Sequence, residues 1–202
     1  MTDVIDKPNL KPDQQAILAT WRQHTHAEFV LKDADAALAT MTKNPYVFLV
    51  ASGLAPTGRA AIHEFYANKF LPNLPADLEL TSLSQTFGAD RIVEEMVMRF
   101  THTIEMDWLL PGVRPTRRSA EFALVGVVQF KSGKIAAEHL YWDQATVLSQ
   151  LGLPNHQATA GFDSAARLLQ LRTTTSSPHA TGKRPPALSA SRASAGGADD
   201  GE

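Results

Sequence analysis

An α+β fold is what this 202-residue sequence predicts. Two observations carry the prediction. Apolar residues recur at helical spacing through the first third of the chain, and from Leu78 onward long stretches alternate as strands do. Helices first and an antiparallel meander afterwards is the α+β pattern, not that of alternating βαβ units. A third observation bounds the domain. Past about Arg172 the chain is rich in Ser, Ala, Thr, Gly and Pro, with almost no bulky apolar side chain. Such a segment cannot bury enough surface to offset its ordering entropy. The expected organisation is a disordered lead-in over 1–10, a folded domain over 11–157, a short helical extension over 158–172 and a disordered tail over 173–202.

Pro12 suits a first helical turn, where its missing N–H costs nothing. Ile17, Leu18, Trp21, Thr25, Glu28 and Phe29 then follow at helical spacing. Asp33 is placed to cap a second, Ala-rich helix that rests Ala37, Leu38 and Met41 on one side. Asn44-Pro45 is expected to break it, before a short β-prone run from Tyr46 to Val50. A third helix is predicted from about Arg59 to Phe70, with Ile62, Phe65, Tyr66 and Phe70 as its apolar face. Strands are predicted over Leu78–Phe87, Arg91–Ile104 and Ser119–Phe130. A tight Ser132-Gly133 turn then leads into a last strand and an amphipathic helical turn ending at Gly152.

The bulk numbers exclude several function classes. Net charge is -2 with a pI near 6.4, which supplies no basic field for nucleic acid or an anionic membrane. There is no cysteine, hence no disulfide, thiolate nucleophile or Cys-based metal site. No apolar stretch approaches the ~20 residues a membrane span needs. The N-terminus lacks the apolar run of a signal peptide, so a soluble, cytoplasmic protein is expected.

Candidate chemistry gathers on two strands. Residues two apart on a strand share a face, so His139, Tyr141 and Asp143 should project together. If that face lines a cavity, it offers an acid/base pair beside a phenol; if it meets solvent, it is a polar strand end. Four strand residues span roughly 13 Å, so His139 and Asp143 do not bond directly on a straight strand. Asp143 also stands where a helix N-cap is wanted. On the preceding long strand, Glu94, Met96, Met98, Phe100 and His102 share a face that reads as inward. A buried histidine there is either catalytic or bonded to a backbone carbonyl. Trp21, Phe65, Tyr66 and Phe70 either line a cavity mouth or pack in the core. His24 and His26 point nearly opposite ways on a helix, and no His-x₃-His or carboxylate triad with ligand spacing is evident, so no metal and no cofactor is expected.

The phrase FTHTIEMDWLLPGVRPT, a strand, and then GKIAAEHLYWDQATVLSQLGL resemble the SnoaL-like polyketide cyclase group of the nuclear transport factor two-like superfamily. The opening WRQHTHAEFVLKDADAALATMTKNPYV is similar to the first helices of one of its branches, and the resemblance spans roughly residues 14 to 155. It implies a cone: a strongly curved antiparallel sheet wrapped around helices. It assigns a general acid/base role to Asp143, before Leu148-Ser149-Gln150-Leu151-Gly152, with His102 opposite. Phe100 and Ile104 replace the glycines that flank the family's histidine, and Arg114-Pro115-Thr116-Arg117 replaces a Pro-Pro-Thr-Gly loop. In the cone, burial would raise the Asp143 pKa toward working pH. The function so implied is proton transfer on a small hydrophobic carbonyl compound, through Asp143, His102 and His139. Tyr141, Glu94, Met96, Met98, Phe100, Trp108, Trp21 and Tyr66 would surround the substrate. The alternative is a non-catalytic binding or dimerisation module; a homodimer is implied by resemblance alone.

Overall fold

A computed structural model describes residues 10–154 and 170–171. Most of the lead-in, the extension and the tail lies outside the described residues. The order is α1 (Pro12–His26), α2 (Ala34–Ala39), β1 (Met41–Leu49), α3 (Arg59–Phe65), β2 (Glu79–Phe87), β3 (Arg91–Thr101), β4 (Ser119–Lys131), β5 (Lys134–Trp142) and α4 (Gln144–Gln150). Two helices do not end where their α-helical hydrogen bonding does. Ala27–Leu31 extends α1 as a π-helical turn, and Tyr66–Phe70 extends α3 in the same way. π-helical turns are rare and concentrate at functional sites.

The local chemistry explains most boundaries. Pro12 opens α1, and the Lys11 backbone N–H donates to Gln14 Oε1 at 3.0 Å. Asp33 Oδ1 accepts the Ala36 N–H at 3.0 Å and starts α2. Helix α2 ends at Ala39, so Met41 opens β1 instead of packing on the helix. Asn44-Pro45 therefore lies inside a strand, where the expectation was a break before one. β1 is an edge strand, and its pairing shifts register between Met41 and Tyr46. A proline is tolerated at such an irregularity on an edge. Ser132 (φ 52) and Gly133 (φ 73) both take positive φ, as a two-residue hairpin turn requires.

The five strands form one sheet in the order β1-β5-β4-β3-β2. Neighbours are antiparallel except β1 and β5, which run parallel. The inner face carries Leu80, Met96, Met98, Phe100, Phe122, Leu124 and Val128, all buried. Onto it pack α1 through Ile17 and Trp21, α3 through Ile62 and Phe65, and α4 through Val147 and Leu148. The loop between β3 and β4 closes one end with Met106, Leu109 and Leu110, each at most 1% exposed. Burying a side chain of that size contributes about 1.5–3 kcal/mol. A small second cluster of Tyr46, Phe48, Ala137 and Leu171 sits on the outer face over β1 and β5.

Candidate functional site

The acidic side chains inside the fold define the site. α1 and its π-turn present His24 and Glu28, four residues apart, to the inner face of β5, where Glu138 meets them. All three are at least 95% buried. His24 Nε2 lies 3.3 Å from Glu28 Oε1 and 3.1 Å from Glu138 Oε1. On its other side, Nδ1 is 2.7 Å from Thr40 Oγ1, whose own hydroxyl donates to the Ala37 carbonyl at 2.6 Å. Thr40 therefore accepts from Nδ1–H, which fixes the ring and turns Nε2 toward the carboxylates. Tyr66 Oη stands 3.4 Å from the same Nε2.

Burial alone would lower the His24 pKa, but the charges of Glu28 and Glu138 outweigh it and hold the imidazolium well above its ordinary range. Burial pushes the Glu138 carboxyl up, His24 partly offsets this, and Glu28 adds to it. Tyr66 is raised by burial and by the same two glutamates, so its phenol keeps its proton. Glu138 Oε1 has no hydrogen-bond partner among the described residues despite the 3.1 Å approach of Nε2. The contact is an ion pair off the hydrogen-bond axis. The three donor atoms lie within 4.8 Å of one another, so the fold does assemble a metal-ligand spacing that the sequence did not show.

Glu28, Glu138 and Tyr66 face a cavity of about 40 Å³, whose remaining wall is apolar and includes Trp21, Phe29, Phe70, Met96, Met98 and Trp108. Both π-turns contribute to that wall, the first through Glu28 and Phe29 and the second through Tyr66 and Phe70. Phe29 packs edge-on to Phe70 at 6.0 Å, and Phe70 edge-on to Trp108 at 5.0 Å. Trp21, Thr25 and Phe29 also belong to a larger outer cleft of about 410 Å³. Glu94 lies near the inner pocket but apart from the His24 cluster. Trp21 Nε1–H donates to its Oε2 at 2.5 Å, Gln85 Nε2 donates to its Oε1 at 2.8 Å, and Ser82 Oγ also donates to Oε1.

Several expected site residues lie elsewhere. Asp143 is exposed and caps α4: it accepts the N–H groups of Ala145 (2.9 Å) and Thr146 (3.2 Å) and the Thr146 hydroxyl (2.5 Å). Those Thr146 bonds lower its pKa, the reverse of the expected rise. His139 and Tyr141 sit on the outer face, because the pocket side of β5 belongs to Glu138 and Leu140. His139 Nε2 is 2.8 Å from Tyr46 Oη, and burial lowers its pKa, with Arg91 adding to the effect. His102 is buried but lines neither pocket. Its Nδ1 accepts the Thr116 N–H at 3.2 Å, which leaves the proton on Nε2, and Nε2 has no partner among the described residues. Phe100 packs edge-on to Phe122 in the core and does not line the pocket. His24, Glu28 and Glu138 were missed; the available signal was Glu28 on an apolar helical stripe, four residues after a histidine.

Neither a protein-family model nor a curated protein matches the chain. Solved structures do. A protein described as a SnoaL-like polyketide cyclase from Jannaschia sp. CCS1 is 16% identical with a TM-score of 0.61, over 73% of this chain and 99% of that one. The chain shares the SnoaL-like fold of that protein. A ketosteroid isomerase-like protein from Catenulispora acidiphila, 17% identical, has a TM-score of 0.52 over 68% of this chain and 93% of its own. AclR of Streptomyces galilaeus, described as a hydroxylase, is 20% identical with a TM-score of 0.54 over 70% and 99%. At these identities the likeness is one of fold. Within the SnoaL-like fold, the buried cluster here lies between the first helix and the inner face of β5. Among the described residues, no helix is long and apolar enough to cross a membrane.

Proposed function

We propose that this chain is a cofactor-independent acid/base enzyme acting on a small hydrophobic carbonyl compound, by cyclisation, isomerisation or dehydration. One observation carries the reading: Glu138, a carboxyl whose pKa burial raises, faces an apolar pocket beside a second carboxyl and a phenol. Burial of this kind moves an acid toward neutral working pH, where general acid–base catalysis is most effective. In this reading Glu138 gives a proton to the substrate oxygen and Tyr66 donates a hydrogen bond to it. Glu28 accepts the proton from carbon, and His24 bridges the two carboxyls. The reacting end occupies the inner pocket, and the body of the substrate lies in the outer cleft that shares Trp21, Thr25 and Phe29.

The small inner volume favours one other reading, a non-catalytic ligand-binding or dimerisation module. The outer sheet face, with Val93, Val97, Val125 and Val127 half-exposed, supports self-association as a homodimer. Hydrogen–deuterium exchange alpha to the carbonyl of a panel of cyclic ketones and diketones, followed by NMR, separates the two. Glu138→Gln should slow exchange about 10²–10⁴-fold, the usual weight of one acid/base group, while Asp143→Ala stays within a few-fold. Exchange at the uncatalysed rate by wild type would support the binding module. Activity abolished by chelation and restored by a divalent cation would replace proton transfer with metal chemistry at the same residues.

A further inference from the structure

We infer that His24, Glu28 and Glu138 form a site for one divalent cation of the zinc type. The inference goes beyond the acid/base reading and rests on it only for a consequence, that a bound ion blocks the proton transfer. One donor atom from each residue lies within 4.8 Å of the other two. His24 Nε2 stands 3.3 Å from Glu28 Oε1 and 3.1 Å from Glu138 Oε1. Ligands 2.0–2.1 Å from a tetrahedral ion stand roughly 3.3 Å apart, so these separations already suit one ion. A mixed nitrogen and oxygen set fits zinc or cobalt; calcium and magnesium take oxygen ligands in larger number.

More than spacing points to a ligand. Glu138 is 2% exposed, and its Oε1 has no hydrogen-bond partner among the described residues while it approaches Nε2. His24 Nδ1 meets two acceptors, the Ala37 carbonyl at 3.2 Å and the Thr40 hydroxyl oxygen at 2.7 Å, whose own proton goes to Ala37. The Nδ1 proton is therefore held in place, and Nε2 is the nitrogen turned to the carboxylates, as in a metal-binding histidine oriented by an outer partner. With both carboxylates ionised, an imidazolium balances one of the two buried negative charges, and a divalent cation balances both. The incoming ion displaces the Nε2 proton to solvent. Glu28, Glu138 and Tyr66 line the cavity of about 40 Å³, so the fourth position opens onto it, with room for a water-sized ligand. An ion held there ties up both carboxyls and competes with the proton transfer assigned to them.

Co²⁺ is the probe for the test, because a four-coordinate Co²⁺ site absorbs visible light far more strongly than the aqueous ion. Titrated into the full chain without chelator, it should give that spectrum and saturate near one ion per chain, and Zn²⁺ should displace it. Thr40→Val removes the outer partner of His24 and should weaken binding roughly 10–100-fold. Glu138→Gln keeps the shape and should weaken it by more than about 10²-fold. Zn²⁺ should raise the Tm of the wild type and not that of Glu138→Gln, a measurement that also reports whether the variant folds. His63→Gln, at the exposed pair with Asp35, should change nothing. Absence of the strong spectrum, or a spectrum that survives Glu138→Gln, overturns the inference. The spectrum needs no substrate. A Co²⁺ site without exchange activity in the metal-free chain sinks the proposed function alone, and exchange without a Co²⁺ site sinks this inference alone.

Discussion

Two buried glutamates in one sheet sit in opposite surroundings. Glu94 and Glu138 both sit on the inner face and are both essentially inaccessible. Glu94 is ringed by neutral donors, an indole N–H, a hydroxyl and an amide, which occupy both of its oxygens. Glu138 faces an imidazole and another carboxylate, with one oxygen left without a hydrogen bond. Neutral donors fix a carboxylate as a structural acceptor and give it nothing to exchange. Charged neighbours make the same group a site whose protonation depends on theirs. On the proposed function, that difference separates a support from a reactive group more sharply than burial does.

The largest effect expected from pressing on this contrast is structural. Glu94→Ala leaves the Trp21, Ser82 and Gln85 donors unpaired and should cost about 3–5 kcal/mol. For a domain of this size that lowers Tm by roughly 10 °C. Glu138→Gln keeps the shape and should cost no more than about 1 kcal/mol while removing the chemistry. If the two substitutions destabilise equally, the contrast is broken.

The next effect is a pH dependence. His24 is raised in the folded chain, so its contribution is complete below the ordinary histidine pKa and is lost as pH rises through the folded value. Glu138, also raised, contributes with the same sign, since the fold retains its proton where the unfolded chain has released it. Stability should therefore fall as pH rises, from about 4.5 through Glu138 and from about 6.5 through His24, by up to ~1.4 kcal/mol per pH unit for each retained proton, and Tm with it. His24→Asn should lower Tm overall and flatten that slope; an unchanged slope would assign the titration to other groups. The smallest effect belongs to the exposed carboxylate. Asp143→Ala should cost about 1 kcal/mol through the lost cap, measured by denaturant unfolding, and leave the exchange rate intact.

The fold was legible because local chemistry marks its joints. Asp33 and Asp143 cap helices, Ser132-Gly133 turns a hairpin, and Gly152 (φ 70) ends α4 with Gly152 N–H to Ser149 O and Leu153 N–H to Leu148 O. The site was less legible because alternation separates the two faces of a strand without saying which one points inward. On β3 the inward set was evident from Met96, Met98 and Phe100. On β5 the polar sequence His139, Tyr141, Asp143 drew attention to the outer face. The inner face carried Glu138 among small and apolar neighbours, where a charge looks misplaced until His24 and Glu28 arrive from a helix distant in sequence. A metal-like spacing was likewise invisible, since one of its three members comes from β5.

The irregular edges of the sheet decide how copies of this chain can meet. β1 spends its outer N–H groups on its own following loop, through Val47 to Pro56 and Leu49 to Leu54, and it carries Pro45. β2 is interrupted between Ser82 and Ser84, where Leu83 has no counterpart on β3. Strand-by-strand growth into fibres needs a long flat edge with free donors, and neither border offers one. Among the described residues, the broad outer face is where a second copy would bury side chains without extending the backbone ladder.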